Sequence, residues 1–512
     1  MPPIHSTGPR PEPPLMPKTV PLNVLRQQPG GHQPGATDAP KEKCGVVGVW
    51  GLPAPASLVY MALYAQQHRG QESAGIAVTD GSQFESHLGM GLVPDVFSKT
   101  DLDRLNWFGT TGAIGHNRYS TSGGSLHCNT QPLVEQTVDG PVALAHNGNL
   151  VNAAALRQKF AEKGNLFHTT SDTEIVIHLL ASPEQRKTPD PLAATLRRLQ
   201  GAFSLVFMFP DRIEAARDPW GWRPLVLGEI EREGKLYPAV ASETVALDVM
   251  GARYIREVEP GEIVTLSSEG VTSRQFAEPA PRLARCIFEH VYFASPASNV
   301  FGQNVQRARE QMGEVLASEA PVEADMVMPM PDSGRSAANG YANVSGIPYR
   351  EAIIPNRYVG RTFIKPTQHE REAAVRLKLN VVREIVDGKR VVVVDDSIVR
   401  GTTTRIKMLQ IREAGAKEIH LRISAPPIRH PCYFGVDFAS KDQLIANNRT
   451  VEEIREFLGV DSLHFLSLEG LLSVARHSPE DYCTGCFSGD YRVDIEHPTT
   501  EEIVSREQPS MF

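Results

Sequence analysis

The sequence predicts two domains in tandem behind an unfolded leader: a strand-rich α+β unit, then an α/β unit with a parallel sheet. Three observations carry this expectation. The first forty residues contain eleven prolines and little hydrophobic periodicity, a composition that cannot bury enough surface to fold alone. Order then begins abruptly at Cys44-Gly45-Val46-Val47-Gly48-Val49-Trp50, and short strand-like runs recur as far as Leu266. Beyond Cys286, strand and helix signals alternate, as a parallel sheet with crossover helices requires.

Composition sets the outer bounds. A chain of 512 residues holds about two to four domains. Its 41% hydrophobic and 22% charged residues are those of an ordinary globular protein. A net charge of −8 argues against a nucleic-acid surface. No apolar run approaches the roughly 18 residues that a spanning helix needs, so no membrane partner is expected. Six cysteines are too few for a secreted disulfide scaffold, which makes a reducing cytoplasm the expected setting. Met1 and Met16 are both candidate starts of the leader.

In the first half, a helical segment at residues 56–67 leads into His68-Arg69-Gly70-Gln71-Glu72-Ser73. A thiol needs a nearby base to act as a nucleophile at neutral pH. A free α-amine on Cys44 itself, with an ordinary pKa of about 8, supplies one. That amine exists only if residues 1–43 are removed. Further on come Gly115-His116-Asn117-Arg118-Tyr119-Ser120-Thr121, Ala145-His146-Asn147-Gly148-Asn149-Leu150 and Ser171-Asp172-Thr173-Glu174. This series resembles the N-terminal-nucleophile glutamine amidotransferases. The resemblance implies that Arg118 clamps the glutamine α-carboxylate, a task planar arginine performs better than lysine. It also implies an oxyanion hole from the Asn147 side chain and the Gly148 N–H, with Asp172, Thr121 and His146 as further glutamine contacts. Taken singly, Asp172 also reads as a helix N-cap, His146-Asn147 as a strand-end turn, and Cys44 as a buried thiol. Arg217-Asp218-Pro219-Trp220-Gly221 and Ala241-Ser242-Glu243 extend the series, while Gly221-Trp222-Arg223 departs from the family pattern. The order of the motifs favours the catalytic reading.

Strand-like segments at 213–216, 238–241 and 262–266 close this unit, and residues 267–281 read as a linker. The second half centres on Val391-Val392-Val393-Val394-Asp395-Asp396. Four β-branched residues in a row suit a strand buried on both faces. Ligands of such sheets bind beyond the carboxyl ends of the strands. There, Ser397, Arg400, Gly401, Thr402, Thr403 and Thr404 offer N–H groups and hydroxyls to an anion at a helix start. Two carboxylates suit hydrated Mg²⁺ or sugar hydroxyls. The run resembles the phosphoribosyl pyrophosphate loop of the type I phosphoribosyltransferases. That likeness implies that Asp395 and Asp396 hold the ribose hydroxyls and, with Ser333, place Mg²⁺, while residues 397–404 cradle the 5′-phosphate. It further implies that residues 331–337 form a pyrophosphate turn, and that residues 356–366 are a mobile loop bringing Arg361 and Lys365 to the leaving group. Residues 371–378 read either as phosphate contacts or as a solvated helix face.

Cys286, Cys432, Cys483 and Cys486 remain. Four thiolates suit either Zn²⁺ or a [4Fe–4S] cluster. Their contexts, RCIFEHVYFA, APPIRHPCYFG and CTGCFSG, resemble the iron–sulfur branch of the amidophosphoribosyltransferase family, in which the cluster is structural. Cys128 fits no motif and reads as an ordinary thiol.

The resemblance spans residues 44 to about 495 and implies an N-terminal-nucleophile αββα sandwich followed by a type I phosphoribosyltransferase α/β domain. The expected boundaries are a propeptide at 1–43, a glutaminase domain at 44–275, a cluster-bearing phosphoribosyltransferase domain at 276–495, and a tail at 496–512. The implied activity is hydrolysis of glutamine and transfer of its ammonia to phosphoribosyl pyrophosphate. The implied cofactors are one Mg²⁺ and one [4Fe–4S] cluster per subunit, with purine nucleotides as feedback inhibitors of a homotetramer. The alternative is a non-catalytic phosphoribosyltransferase-fold regulator, which has no need of Cys44, Arg118 and Asn147.

Overall fold

The computed structural model describes residues 44–108, 111–119, 125–356, 379–436, 438, 441–493 and 495. The expectations for Thr121, Arg361, Lys365, the leader, the tail at 496–512 and residues 371–378 lie outside these described residues.

The strands of the first half are, in chain order, β1 (Gly45–Trp50), β2 (Ser73–Thr79), β3 (Phe84–Met90), β4 (Gly112–Arg118), β5 (Leu133–Thr137), β6 (Gly140–Leu150) and β7 (Gly201–Phe209). They continue as β8 (Arg212–Arg217), β9 (Val226–Arg232), β10 (Lys235–Ala241), β11 (Ala252–Glu257), β12 (Glu262–Ser267) and β13 (Gly270–Gln275). A seven-stranded sheet in the order β11-β9-β10-β1-β4-β2-β3 faces a six-stranded sheet in the order β13-β12-β8-β7-β6-β5. The alternation of side chains along β1 explains why the strand is apolar throughout. Val46 and Trp50 enter the core between the sheets with Ala143, Ala145 and Val206. Val47 and Val49 face the other way, toward helices Pro55–Ala65 and Thr244–Met250. Helices Glu174–Ala181 and Pro191–Leu196 cover the outer side of the second sheet. The four layers are therefore αββα.

Residues 267–281 are not wholly a linker. Residues 270–275 form β13, which pairs with β12 from Ser267↔Gly270 to Glu262↔Gln275. Ser268-Glu269 join the two strands as a two-residue hairpin that composition alone reads as loop.

The second half is built on a four-stranded parallel sheet, in the order Met326–Pro329, Arg390–Asp395, Glu418–Ile423, Ser462–Phe465. The four valines divide between its faces. Val392 and Val394 pack with Leu316, Val327 and Tyr341, whereas Val391 and Val393 pack with Met408, Ile411 and Ile419. Full burial of each valine contributes roughly 1.5–3 kcal/mol, so the strand is anchored from both sides up to its acidic end. The chain enters this half by running back along the first. The Ala284 N–H donates to the Trp220 carbonyl at 2.8 Å, and the Cys286 N–H to the Trp222 carbonyl at 3.2 Å. Arg285–Cys286 then pairs in parallel with Tyr482–Cys483, so the end of the chain closes onto its middle. Among the described residues no helix is long and apolar enough to cross a membrane.

Candidate active site

Cys44 stands at the head of β1, 6% exposed. Its Sγ donates to the Tyr119 carbonyl at 3.6 Å. Burial pushes the thiol up to about 11, against the pull of Arg118, and the Asp172 and Glu72 carboxylates add to the rise. Arg118 ends β4, which pairs directly with β1, and its buried guanidinium lies 4.0 Å from the Glu72 carboxylate. Asp172 does not cap the following helix; its carboxylate accepts the Leu150 N–H at 2.9 Å. Burial opposes its ionisation, but His146 and the Leu150 N–H outweigh that and hold the carboxyl below its ordinary value.

Alternation along β6 separates neighbouring candidates. Asn147 shares the face of Ala143 and Ala145 and reaches across the sandwich, with Nδ2 donating to Ser242 Oγ at 3.5 Å. Its buried Oδ1 has no hydrogen-bond partner among the described residues. Gly148 has a φ of 154°, and a Cβ there would meet the Ala202 carbonyl oxygen at 2.0 Å, so no other residue fits. His146, expected among the glutamine contacts, turns to the opposite face. Its Nδ1 lies 3.1 Å from Thr173 Oγ1 and 3.8 Å from Asp172 Oδ1.

At the second site, Asp395, Asp396 and Ser397 are buried at the end of the central strand. The Ser333 hydroxyl donates to Asp396, as does Ser397 Oγ at 2.6 Å, and the Asp396 N–H donates to Asp395 at 3.0 Å. Burial and the adjacent Asp396 push the Asp395 carboxyl well up, with Lys407 opposing. Such a pair is stable as two carboxylates only beside a cation or hydroxyl donors. Gly401, with a φ of 77°, precedes helix Thr402–Glu413 and turns the loop over the strand end. Thr404 is buried in the first turn of that helix, and Arg400 Nε donates to Gln443 at 3.0 Å. Among the described residues no group of three His, Cys, Asp or Glu side chains is placed to hold a metal ion.

Cys286, Cys432, Cys483 and Cys486 converge, although they lie far apart in sequence. Burial first, then the charge of the other cysteines, raises the Cys486 thiol well above its ordinary value. Cys286 and Cys483 are register partners, and the Phe434 N–H donates to Cys432 Sγ at 3.4 Å. Cys128 is exposed, on the turn His127–Asn129, apart from this group.

A buried charge network that motif reading missed joins the two halves. Arg69 Nε donates to the Cys44 carbonyl at 3.2 Å, and its Nη1 to Glu243. Glu243 accepts from Ser298 Oγ at 2.6 Å and from the Ser295 N–H at 2.9 Å, both in the second half. Arg223 Nη1 lies 3.4 Å from Glu289 and its Nη2 donates to the Phe434 carbonyl. Arg309, buried, donates to the carbonyls of His290 at 2.7 Å and Ala294 at 2.9 Å. Burial lowers its guanidinium to about 10, while Asp396 and Glu243 pull the other way, so this cation feels both the acid pair and the buried network. One signal was available in the sequence: Glu289 interrupts the apolar run CIFEHVYF, where a charge persists only if paired.

The fold and paired sites define a glutamine amidotransferase unit joined to a phosphoribosyltransferase unit. Residues 116–249 match the glutamine amidotransferase domain family. The chain is 49% identical over 459 residues to a chloroplastic amidophosphoribosyltransferase of Glycine max, covering 89% of this chain and 79% of that protein. It is 47% identical over 463 residues to the amidophosphoribosyltransferase of Bacillus subtilis, covering 90% and 96%. Among solved structures, the glutamine phosphoribosylpyrophosphate amidotransferase from B. subtilis complexed with ADP and GMP superposes with a TM-score of 0.82 at 46% identity, over 90% of this chain and 100% of that one. A structure described as the allosteric regulatory enzyme of purine biosynthesis gives a TM-score of 0.83 at 46% identity, over 90% and 98%. The chain belongs to the amidophosphoribosyltransferase family. It is a glutamine-dependent glycosyltransferase of purine biosynthesis.

Proposed function

We propose that the chain draws ammonia from glutamine at Cys44 and delivers it to C1 of phosphoribosyl pyrophosphate at Asp395 and Asp396, forming 5-phosphoribosylamine, glutamate and pyrophosphate. The carrying observation is that Cys44, Arg118, Asp172 and the Asn147–Gly148 pair meet at one end of the sandwich in a chain that also holds a buried acid pair. The working units are a leader at 1–43, a glutaminase unit at 44–275, a phosphoribosyltransferase unit at 276–495 and a tail at 496–512.

Removal of residues 1–43 frees the Cys44 α-amine, which takes the thiol proton as sulfur attacks the glutamine amide carbon. Arg118 and Asp172 hold the amino-acid end, and Asn147 Nδ2 and the Gly148 N–H stabilise the oxyanion. The proton held by the amine passes to the departing nitrogen, which leaves as ammonia, and water hydrolyses the thioester to glutamate. Ammonia then displaces pyrophosphate at the sugar. An internal route keeps it unprotonated, since ammonium is not a nucleophile. Asp395 and Asp396 take ribose hydroxyls, and residues 397–404 take the 5′-phosphate. Asp395, Asp396 and Ser333 with substrate oxygens would hold Mg²⁺, whose charge offsets that of the leaving pyrophosphate.

The four cysteines fit a [4Fe–4S] cluster by donor chemistry. They are all sulfur, Cys286 buried and Cys432, Cys483 and Cys486 half-buried, and backbone N–H groups of Phe288, Phe434 and Gly485 lower Cys286, Cys432 and Cys483 against burial. Hydrogen bonds to sulfur are a regular means of stabilising such clusters. Purine nucleotides as feedback inhibitors, supported by the ADP and GMP bound in one solved relative, complete the reading together with a homotetramer and a cytoplasmic setting.

Cys44→Ser tests the coupled mechanism. Synthesis from glutamine is lost and synthesis from ammonia is kept; retention of glutamine-dependent synthesis sinks the assignment.

A further inference from the structure

Trp222 stands where the sequence departs from the family pattern, and it is wholly buried. Its indole stacks on Phe434 with centroids 4.4 Å apart and planes 20° from parallel, and leans on Trp220 at 5.4 Å. Cys432 and Cys483 pack against the same small apolar group. The Trp222 carbonyl receives the Cys286 N–H at 3.2 Å, so this one residue borders three of the four cysteines.

The indole Nε1 is buried and has no hydrogen-bond partner among the described residues. Buried donors are rarely left unused, and an orphan calls for an acceptor. Cys483 is the group at hand. It packs against the same small apolar group as the indole. A thiol is a weak acceptor, whereas a thiolate bonded to iron is a strong one.

We propose that the Trp222 indole N–H donates to the Cys483 sulfur of a bound iron–sulfur cluster, and that this bond makes the cluster resistant to oxidative loss. The inference rests on the cluster reading above. Donation to sulfur withdraws electron density from the iron–thiolate bond, which disfavours loss of an electron to oxygen. The ring, stacked on Phe434, also closes the apolar side of the site to water. The backbone donors at Phe288, Phe434 and Gly485 exist whatever the side chain; Trp222 is a donor that substitution can remove. It is a positioning and tuning residue, not a catalytic one.

The test uses the full chain, purified without oxygen, with β-(3-benzothienyl)alanine in place of Trp222. That side chain keeps the ring system and replaces its N–H by sulfur. Trp222→Phe is the second variant. Iron and sulfide analysis of the parent protein reads the cluster itself: zinc without iron overturns the cluster reading, and this proposal with it. With four irons and four sulfides present, both variants are expected to raise the terminal iron–sulfur stretching frequencies in resonance Raman spectra. Both are also expected to bleach in air about tenfold faster, the size of one charge-assisted hydrogen bond. If Trp222→Phe does not accumulate, the benzothienyl variant decides alone. Parent-like frequencies and bleaching in the benzothienyl variant leave the cluster reading standing and overturn the role of Trp222.

Discussion

Arg69 and Glu289, 220 residues apart in sequence, form a fully buried two-pronged ion pair with N–O distances of 3.0 and 3.1 Å. Arg69 also holds the Cys44 carbonyl, so the Cys44 backbone is tied directly to the second half of the chain. Glu243 and Arg223 complete a set of two cations and two anions with no side-chain exposure. Removing one partner from such a set strands a buried charge and costs roughly 3–5 kcal/mol. Glu289→Ala is therefore expected to lower the unfolding free energy by about that amount. It is also expected to reduce glutamine turnover, although Glu289 lies outside the glutamine site. Chemical denaturation and glutaminase assays measure the two effects. A variant with parent stability would show that Arg69 finds its counter-charge in Glu243 alone.

The oxyanion assignment makes a sharper demand. Asn147 is held by Ser242, while Gly148 admits no side chain. Loss of one oxyanion donor costs about 100- to 1000-fold in kcat. Asn147→Ala should show that loss for glutamine hydrolysis, with KM little changed and ammonia-dependent synthesis intact. Ser242→Ala should cost less, because it removes only the brace. A loss in Asn147→Ala expressed wholly in KM would assign the residue to substrate binding instead.

These sites were unevenly legible in the sequence. The four valines and the acid pair were readable because a strand buried on both faces and a ligand loop are local patterns. The pairing of Arg69 with Glu289, and the approach of Arg309 to both Asp396 and Glu243, were not. They depend on where distant segments pack, which no spacing encodes. The orientation of His146 was recoverable: a strand of period two cannot send His146 and Asn147 to one face. Residues 270–275 were misread because an exposed edge strand has the composition of a loop.

The buried histidines set the acid limit of stability. Burial holds His116 down at about 3, against the hydrogen bond to the His146 carbonyl at 3.0 Å, and burial holds His290 down at about 4. Unfolded, each returns to about 6.5. Both are neutral bases in the folded state, so the unfolded chain binds more protons. Their stabilisation is present above pH 6.5 and is lost as pH falls toward 4 and then 3. Denaturant midpoints are expected to fall across that window. His116→Asn, which has no proton to gain, should flatten the fall; an unchanged slope would assign the acid limb to other groups.

Cys44 is expected to react differently before and after the proposed cleavage on its N-terminal side. With Cys44 in mid-chain, burial keeps its thiol at about 11 despite Arg118. The reactive thiolate is then a minor species at neutral pH, growing tenfold with each unit until the pH nears that value. Cleavage at Cys44 adds a base to the same residue and removes the leader's peptide bond. A glutamine-like alkylating agent should accordingly label the uncleaved chain slowly at pH 7, with a rate that climbs steadily to high pH. The cleaved chain should react fast at pH 7, with a rate that levels off above the pKa of its α-amine. Intact-mass spectrometry reads cleavage and labelling in one measurement. Rapid labelling of the uncleaved chain at neutral pH would show that a base other than the α-amine serves Cys44.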